Sequence, residues 1–295
     1  MRNRQSSVGE QIFYCINYCF LVLCVGITLF PLVNIVATSL SSSNAIISGE
    51  VFLWPKQPTL EAYRNVVEDG QVFVAMKNTV IITVVGVVFN MAATILCAYP
   101  LSRKRLMGRG IFSGIIVFTM LFGGGMIPSF LLVKMLGIMD SYWALWLPQL
   151  ISVYNMIIMK TFFQSIPDSL EEAAALDGAN DFYILIKVFL PLSGSILATL
   201  TLFYAVSWWN EYYNSMIYIN SSSKLPMTVK LMQMVQNMNQ DMLRGSEGVI
   251  QKEQSLVAQS VRSASIVVTI LPILCVYPFL QKYFVKGVMI GSVKG

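Results

Sequence analysis

The charged residues of this chain sit in clusters separated by long uncharged intervals. No charge occurs between Glu10 and Glu50, Lys77 and Arg103, Arg109 and Lys134, Asp140 and Lys160, Lys187 and Glu211, or Arg262 and Lys282, and each interval holds at least 19 residues, mostly apolar. A bilayer core of about 30 Å is crossed by about 20 apolar residues in helical form. A helix is the form that satisfies its own backbone hydrogen bonds in lipid. The pattern therefore predicts six transmembrane helices, near 13–38, 76–100, 110–133, 142–160, 193–217 and 263–281. A soluble helical protein would need polar faces that these segments lack. The expected fold class is an all-α polytopic membrane protein, a single transmembrane domain over 1–295.

The connecting segments carry the remaining pattern. Residues 39–75 form a first outer loop, with Pro55 and Pro58 leading into an amphipathic helix that Thr59 can cap and Glu61 can open. The loop 134–141 is short. The outer loop 218–262 is the longest polar piece and reads as an exposed, partly helical flap. In the third span, Gly123, Gly124, Gly125 and Pro128 read either as a broken helix beside a transport path or as a kink for close packing. The fifth span ends in "SWWNEYYNS". Its residues Trp208, Trp209, Asn210, Glu211, Tyr213 and Asn214 suit an interfacial belt, or a path that meets sugar rings and hydroxyls, and Gly124 joins them as a path candidate.

Charge adds orientation. Arg103, Lys104, Arg105 and Arg109 follow the second span, Arg2 and Arg4 precede the first, and Lys282, Lys286 and Lys294 follow the last. Lys134 apart, these cations share one side if both termini are cytoplasmic. The net charge of +5 is then a topology signal, and no basic patch with interleaved aromatics points to nucleic acid. The apolar N-terminal run is too long for a cleavable leader. Cys15, Cys19, Cys24, Cys97 and Cys275 lie in predicted spans without CxxC spacing and read as small packing residues.

Chemistry is sparse. There is no histidine, no GxxxxGK[ST] loop, no GxGxxG and no metal-ligand spacing, which argues against an enzyme. Only Glu211 is a carboxylate within a predicted span, whereas ion-coupled transporters bury more titratable groups. An ion-coupled secondary transporter of a small polar solute is the alternative reading. The segment 161–192 differs from all others. "SLEEAAALDGAND" at 169–181 holds an alanine run between acids, with capping-box spacing at Ser169/Glu172 and Asp168/Glu171, Gly178 as a helix stop and Asn180 as a second cap. A connector lying on anionic lipid would be basic. This one carries Asp168, Glu171, Glu172, Asp177 and Asp181, which points to a protein partner.

The stretch "EAAALDGANDFYILIKVFLPL" resembles the EAA loop of ABC-importer permeases, with Glu172, Ala173, Ala174, Gly178, Val188, Leu190 and Pro191 at the motif positions and Val188 in place of the more usual Ile. "PTLEAYRNV", "AYPLSRKR", "SWWNEYYNSMIYI" and "KGVMIGSVKG" look like the carbohydrate-uptake, maltose-type branch. "SRKRLMGRGIFSGIIVFTMLFGGGMIPSFLLVKMLG" is similar to a sub-branch serving complex oligosaccharides, uronate-containing ones included. The resemblance implies a type I importer architecture in a bacterial inner membrane. It implies a second permease subunit, more often a different chain, two ATPase subunits that bind ATP and Mg, and an extracytoplasmic binding protein that delivers the carbohydrate. This chain itself would hold no cofactor. The elbow 161–192 would dock the ATPase through Glu171, Glu172, Ala173, Ala174, Asp177, Gly178, Leu190 and Pro191. The tail 282–295, with Gly291 and Lys294, would contact the ATPase pair. The loop 218–262 would reach into the binding protein.

Overall fold

A computed structural model describes residues 8–243 and 259–275. The tail residues Gly291 and Lys294, and residues 244–258 of the loop 218–262, lie outside the described residues. What is described is helical: α1 Val8–Ser39, α2 Ser43–Ile47, α3 Glu61–Asp69, α4 Gln71–Ser102, α5 Arg109–Leu121, α6 Met126–Met135, α7 Trp143–Trp146, α8 Val153–Ser165, α9 Asp168–Leu176, α10 Asp181–Ile184, α11 Leu190–Leu192, α12 Gly194–Trp209, α13 Tyr213–Tyr218, α14 Met227–Leu243 and α15 Gln259–Cys275. Among the described residues there is no strand, only an isolated bridge between Ser41 and Pro58.

These residues form two compact units, one of 8–72 with 231–243 and 259–271, the other of 73–230 with 272–275. In the first unit, α1 is apolar on every face and none of its apolar window is buried within the chain, as a helix surrounded by lipid or partner helices requires. It continues through Pro31, whose missing N–H a spanning helix tolerates. α3 forms where the amphipathic pattern placed it. The Thr59 hydroxyl accepts from the Glu61 N–H, the cap position itself is Leu60, and Gly70 ends the helix with a left-handed φ of 65°. Ser39 bonds the Tyr63 hydroxyl at 2.8 Å and ties α1 to α3.

The second unit holds two cores. One gathers Ile82, Val133, Leu145, Trp146, Tyr204 and Trp208. The other gathers Tyr99, Met159, Phe163, Ile184, Phe189 and Leu200 beneath the elbow. Among the described residues two helices, α1 and α4, are long and apolar enough to cross a membrane, and two bent pairs pass the same test: α5 with α6, bent by 111°, and Asp181–Leu192 with α12, bent by 86°.

Three of the six expected spans are interrupted. In the third, Phe122–Gly125 leave the helix and Gly125 takes a φ of 83°, a backbone that side-chain-bearing residues avoid. Pro128 then falls in the first turn of α6, where its missing N–H costs little. The fourth, expected as one helix over 142–160, is instead α7 and α8 with 147–152 between them, where Pro148 has no N–H to give. The fifth breaks at Asn210–Tyr212, around the buried Glu211, whose carboxylate accepts from the Asn214 N–H that opens the next helix.

Candidate functional site

The acidic elbow consists of α9, a turn at Gly178 and the segment from α10 to α11. Gly178 adopts a φ of 82°, and the Gly178 and Ala179 amides donate back to Ala175 and Ala174. These bonds close the helix as the glycine predicts. Asn180 caps α10 by accepting from the Tyr183 N–H at 2.8 Å. The segment then runs as a π-turn over Leu185–Phe189, just before Pro191, whose ring removes one backbone donor. A notch of about 380 Å³ opens on the elbow between Ala174, Asp177, Gly178, Asn180 and Tyr183.

Neither predicted capping box forms. α9 begins at Asp168 after Pro167, without a side-chain cap. The acids turn instead to the basic turn that follows α4. Arg103, only 5% exposed, donates to Glu171 at 2.6 Å, to the Phe163 carbonyl at 2.7 Å and to Ser102 at 2.9 Å. Its guanidinium lies 4.5 Å from the Phe189 ring centroid. Arg105 bridges Glu171 at 3.3 Å and Asp181. Lys104 reaches Asp168 at 2.8 Å, and that hydrogen bond holds the Asp168 carboxyl below its ordinary range. Charge-based orientation had used up the signal in "SRKR". Its complementarity to three elbow acids, also visible in the sequence, is what locates the contact.

The pairing sorts the expected coupling residues. Glu171 is turned inward and 15% exposed, already engaged by two arginines. Glu172, Ala173, Asp177, Gly178 and Pro191 are exposed, Ala174 and Leu190 are half-buried against the core below, and Leu176, which the sequence reading did not single out, is 89% exposed. The surface offered outward is thus Glu172, Ala173, Leu176 and Asp177 around the glycine turn.

The second group is where the helix breaks meet. Between α7 and α8 the freed carbonyls of Gln149 and Leu150 accept from the Asn90 side chain of α4, at 2.6 and 2.9 Å. Tyr204 joins the same repair, bonding Thr94 at 2.7 Å and accepting from the Ser152 N–H at 3.4 Å. The Asn90 side-chain carbonyl accepts from the Trp208 indole at 2.5 Å. Irregular backbone in a membrane protein survives where protein groups take over its hydrogen bonds, as here. Glu211, 9% exposed, accepts from the Asn214 N–H at 2.9 Å and from Gln149 at 3.2 Å, and its backbone carbonyl accepts from Thr228 at 2.5 Å. The Tyr213 hydroxyl reaches the sulfur of Met126, beside the glycine break.

Of the expected path residues, Gly124, Asn210 and Tyr213 are exposed, Trp209 and Asn214 half-buried, and Trp208 and Glu211 buried. Trp208 is taken up by packing: a Cβ on Gly86 would stand 2.6 Å from its ring. Asn210 bonds its own helix at Val206, and the Trp209 indole N–H is buried without a partner. Asn90 and Gln149 were not foreseen. An Asn in mid-span was the available signal, since such a side chain bonds within protein. Among the described residues no group of three His, Cys, Asp or Glu side chains comes together to hold a metal.

A polytopic helical protein with interrupted spans and an exposed acidic elbow is the architecture of a transport permease. The chain belongs to the family of binding-protein-dependent transport system inner membrane components, whose description matches residues 90–290. It is 43% identical over 289 residues, 97% of this chain and 99% of the relative, to the polygalacturonan/rhamnogalacturonan transport system permease protein YtcP of Bacillus subtilis (strain 168). It is 40% identical to the protein LplC of the same organism, over 97% of this chain and 96% of the relative. Among solved structures it is similar to a chain of a bacterial ABC transporter involved in the import of the acidic polysaccharide alginate. That match has a TM-score of 0.85 and 36% identity, and covers 95% of this chain and 99% of the other. The chain is therefore an ABC transporter permease subunit and not itself an enzyme.

Proposed function

We propose that this permease imports an acidic oligosaccharide, of the uronate-containing class, across a bacterial inner membrane. The names of YtcP and of the alginate importer support the substrate class. The whole chain acts as one permease domain. In this reading the six crossings near 13–38, 76–100, 110–133, 142–160, 193–217 and 263–281 hold, the interrupted spans count as one crossing each, and both termini are cytoplasmic. The partners are a second permease subunit of different sequence, two ATPase subunits that carry ATP and Mg, and an extracytoplasmic binding protein.

The elbow docks the ATPase through Glu172, Ala173, Asp177 and Gly178, with Glu171, Ala174, Leu190 and Pro191 supporting it from within. Gly291 and Lys294 add a tail contact. The saccharide passes beside the meeting point of the helix breaks, where Gly124, Trp209, Asn210, Tyr213 and Asn214 supply aromatic faces and amides, and where Trp208 and Glu211 fix the frame. Discontinuous helices are the usual builders of such membrane sites. The observation that carries the reading is the outward set on a rigid elbow whose other acids are already neutralised within the chain.

Gentle detergent extraction followed by mass spectrometry tests it. Recovery of a P-loop ATPase and a second permease with this chain is the expected result. A chain that purifies alone and takes up solute into vesicles without ATP would overturn it.

A further inference from the structure

The segment that follows α1 is stitched at its base and folded back at its tip. At the base, the Ser42 N–H donates to the Lys56 and Gln57 carbonyls at 3.3 and 3.2 Å, and the Thr59 N–H donates to the Leu40 carbonyl at 2.9 Å. The Lys56 N–H donates to the Ser41 hydroxyl at 3.0 Å. At the tip, the Asn34 side-chain amide donates to the Phe52 carbonyl at 2.8 Å and to the Val51 carbonyl at 3.5 Å. Asn34 lies five residues before the end of α1 at Ser39, about 7–8 Å back along the axis at 1.5 Å per residue. The tip therefore stands beside α1, level with the close of its apolar stretch, and not beyond the helix end.

That level is a membrane boundary. From Tyr18 to Val33, α1 has no charge and no amide side chain, and the Thr28 hydroxyl is bonded to the Cys24 and Val25 carbonyls of its own helix. Asn34 closes this run. Around it Phe30, Val33 and Val36 are exposed, part of the surface that α1 leaves uncovered by its own chain. The tip extends the same surface. Phe52, Leu53 and Trp54 are exposed, Trp54 at 79%, and the nearest charges in the chain are Glu50 and Lys56. A patch of large apolar side chains left bare marks a contact. Indole favours the headgroup level, where one edge of the ring is dry and the other wet. The Lys56 stem can lie along the apolar surface while its ammonium reaches the phosphates. The Val51 and Phe52 carbonyls are already paired with Asn34, as irregular backbone beside hydrocarbon requires.

We propose that Phe52, Leu53 and Trp54 form an anchor in the phospholipid interface at the C-terminal end of α1, with Asn34 as the residue that sets its depth. The contact is with the boundary between headgroups and acyl chains, in the outer leaflet for the orientation given above. The anchor requires only that α1 crosses the membrane, and the name of the leaflet alone depends on the proposed orientation. It holds the loop, and with it α3, which Ser39 and Tyr63 tie to α1, against the membrane surface.

Tryptophan fluorescence of the transporter in nanodiscs, as it purifies with its partner subunits and with no binding protein added, tests this. The parent spectrum minus that of Trp54→Phe isolates Trp54, and Trp54→Tyr takes its place if the phenylalanine variant does not assemble. The expected Trp54 emission is blue-shifted from that of indole in water. It is lost in nanodiscs whose lipid is brominated near the carbonyl end of the acyl chain, and it survives iodide in the buffer. In an Asn34→Ala background the same difference spectrum moves to the red and becomes open to iodide; an unchanged spectrum there would remove Asn34 from the proposal. Quenching by iodide without loss to brominated lipid would place the tip in water and overturn the anchor. Protection from both quenchers would mean that a protein chain covers the tip, and overturns it equally.

Discussion

The elbow and the cluster of helix breaks solve opposite problems. The elbow is a short, contiguous stretch whose acids would repel one another, and three basic residues from a distant turn neutralise part of it. The cluster is assembled from α4, the α7–α8 break, α12 and α13, and it uses amides and indoles around a single carboxylate. The first region spends charge where water is near. The second relies on neutral donors and acceptors, whose desolvation costs far less than that of an ion. In the function proposed above, the first is a stiff handle for a soluble partner and the second a polar passage that does not trap ions.

The largest expected effect separates the regions by function. Glu172→Lys or Gly178→Leu is expected to leave the chain inserted while lowering ATP-driven uptake about tenfold or more, because the first reverses the outward charge and the second forces a side chain into a left-handed backbone. Measured uptake and sugar-stimulated ATP hydrolysis equal to the parent in both would remove the elbow from the mechanism. Next comes packing. Gly86→Leu drives side-chain atoms into the Trp208 ring and is expected to cost about 1–3 kcal/mol of stability, visible as a lower melting temperature of the purified transporter. An unchanged melting temperature would show that Trp208 can leave its place.

Trp209→Ala and Asn210→Ala are expected to shift the KM for saccharide by about fivefold with normal complex yield. Kinetics identical to the parent would return both residues to an interfacial role. The smallest effect concerns Asp140, which sits in a left-handed turn and accepts from the Ser221 hydroxyl at 2.5 Å, from the Ser221 and Asn220 amides at 2.8 and 2.9 Å, and from Lys224 at 3.1 Å. The Ser221 hydroxyl, then its amide, hold this carboxyl well below the usual range. A depressed carboxylate stabilises above its unfolded pKa of about 3.9 and loses that contribution only as pH falls through the lower folded value. Asp140→Asn should therefore lower the melting temperature slightly and by the same amount at pH 7 and pH 5. A difference that already vanishes at pH 5 would show that the Asp140 carboxyl titrates above its ordinary value of about 3.9 and that these bonds do not hold it down.

Local signals were legible because local physics makes them. Gly178 and Asn180 act where their residue types require, and the Glu172 face is outward as an acidic connector away from lipid should be. What the sequence did not disclose is pairing at a distance. Asp168 and Glu171 have capping-box spacing, yet a nearer cation outbids a backbone N–H for each carboxylate. The breaks at 147–152 and 210–212 were likewise hidden. Apolar length alone predicts a span, while the groups that permit a gap, Asn90 and Gln149, sit on other segments. Gly123–Gly125 was a partial exception: the three glycines pointed to either a break or a kink, and the structure has a break there.

The Arg103–Glu171 bond joins residues 68 positions apart in the chain. At ribosomal speeds of about 5–20 residues per second, the carboxylate is made on the order of 3–14 seconds after the guanidinium it will meet. During that interval Arg103 has no counter-ion from the elbow, and its burial against Phe163 and Phe189 has to wait, because those rings also arrive later. The C-terminal end of α4 thus stays open until the elbow is made, yet it closes before the middle of the helix, where Asn90 waits for Trp208, 118 positions away, and a nascent chain stalled before the elbow would hold a strongly basic turn without its counter-ions.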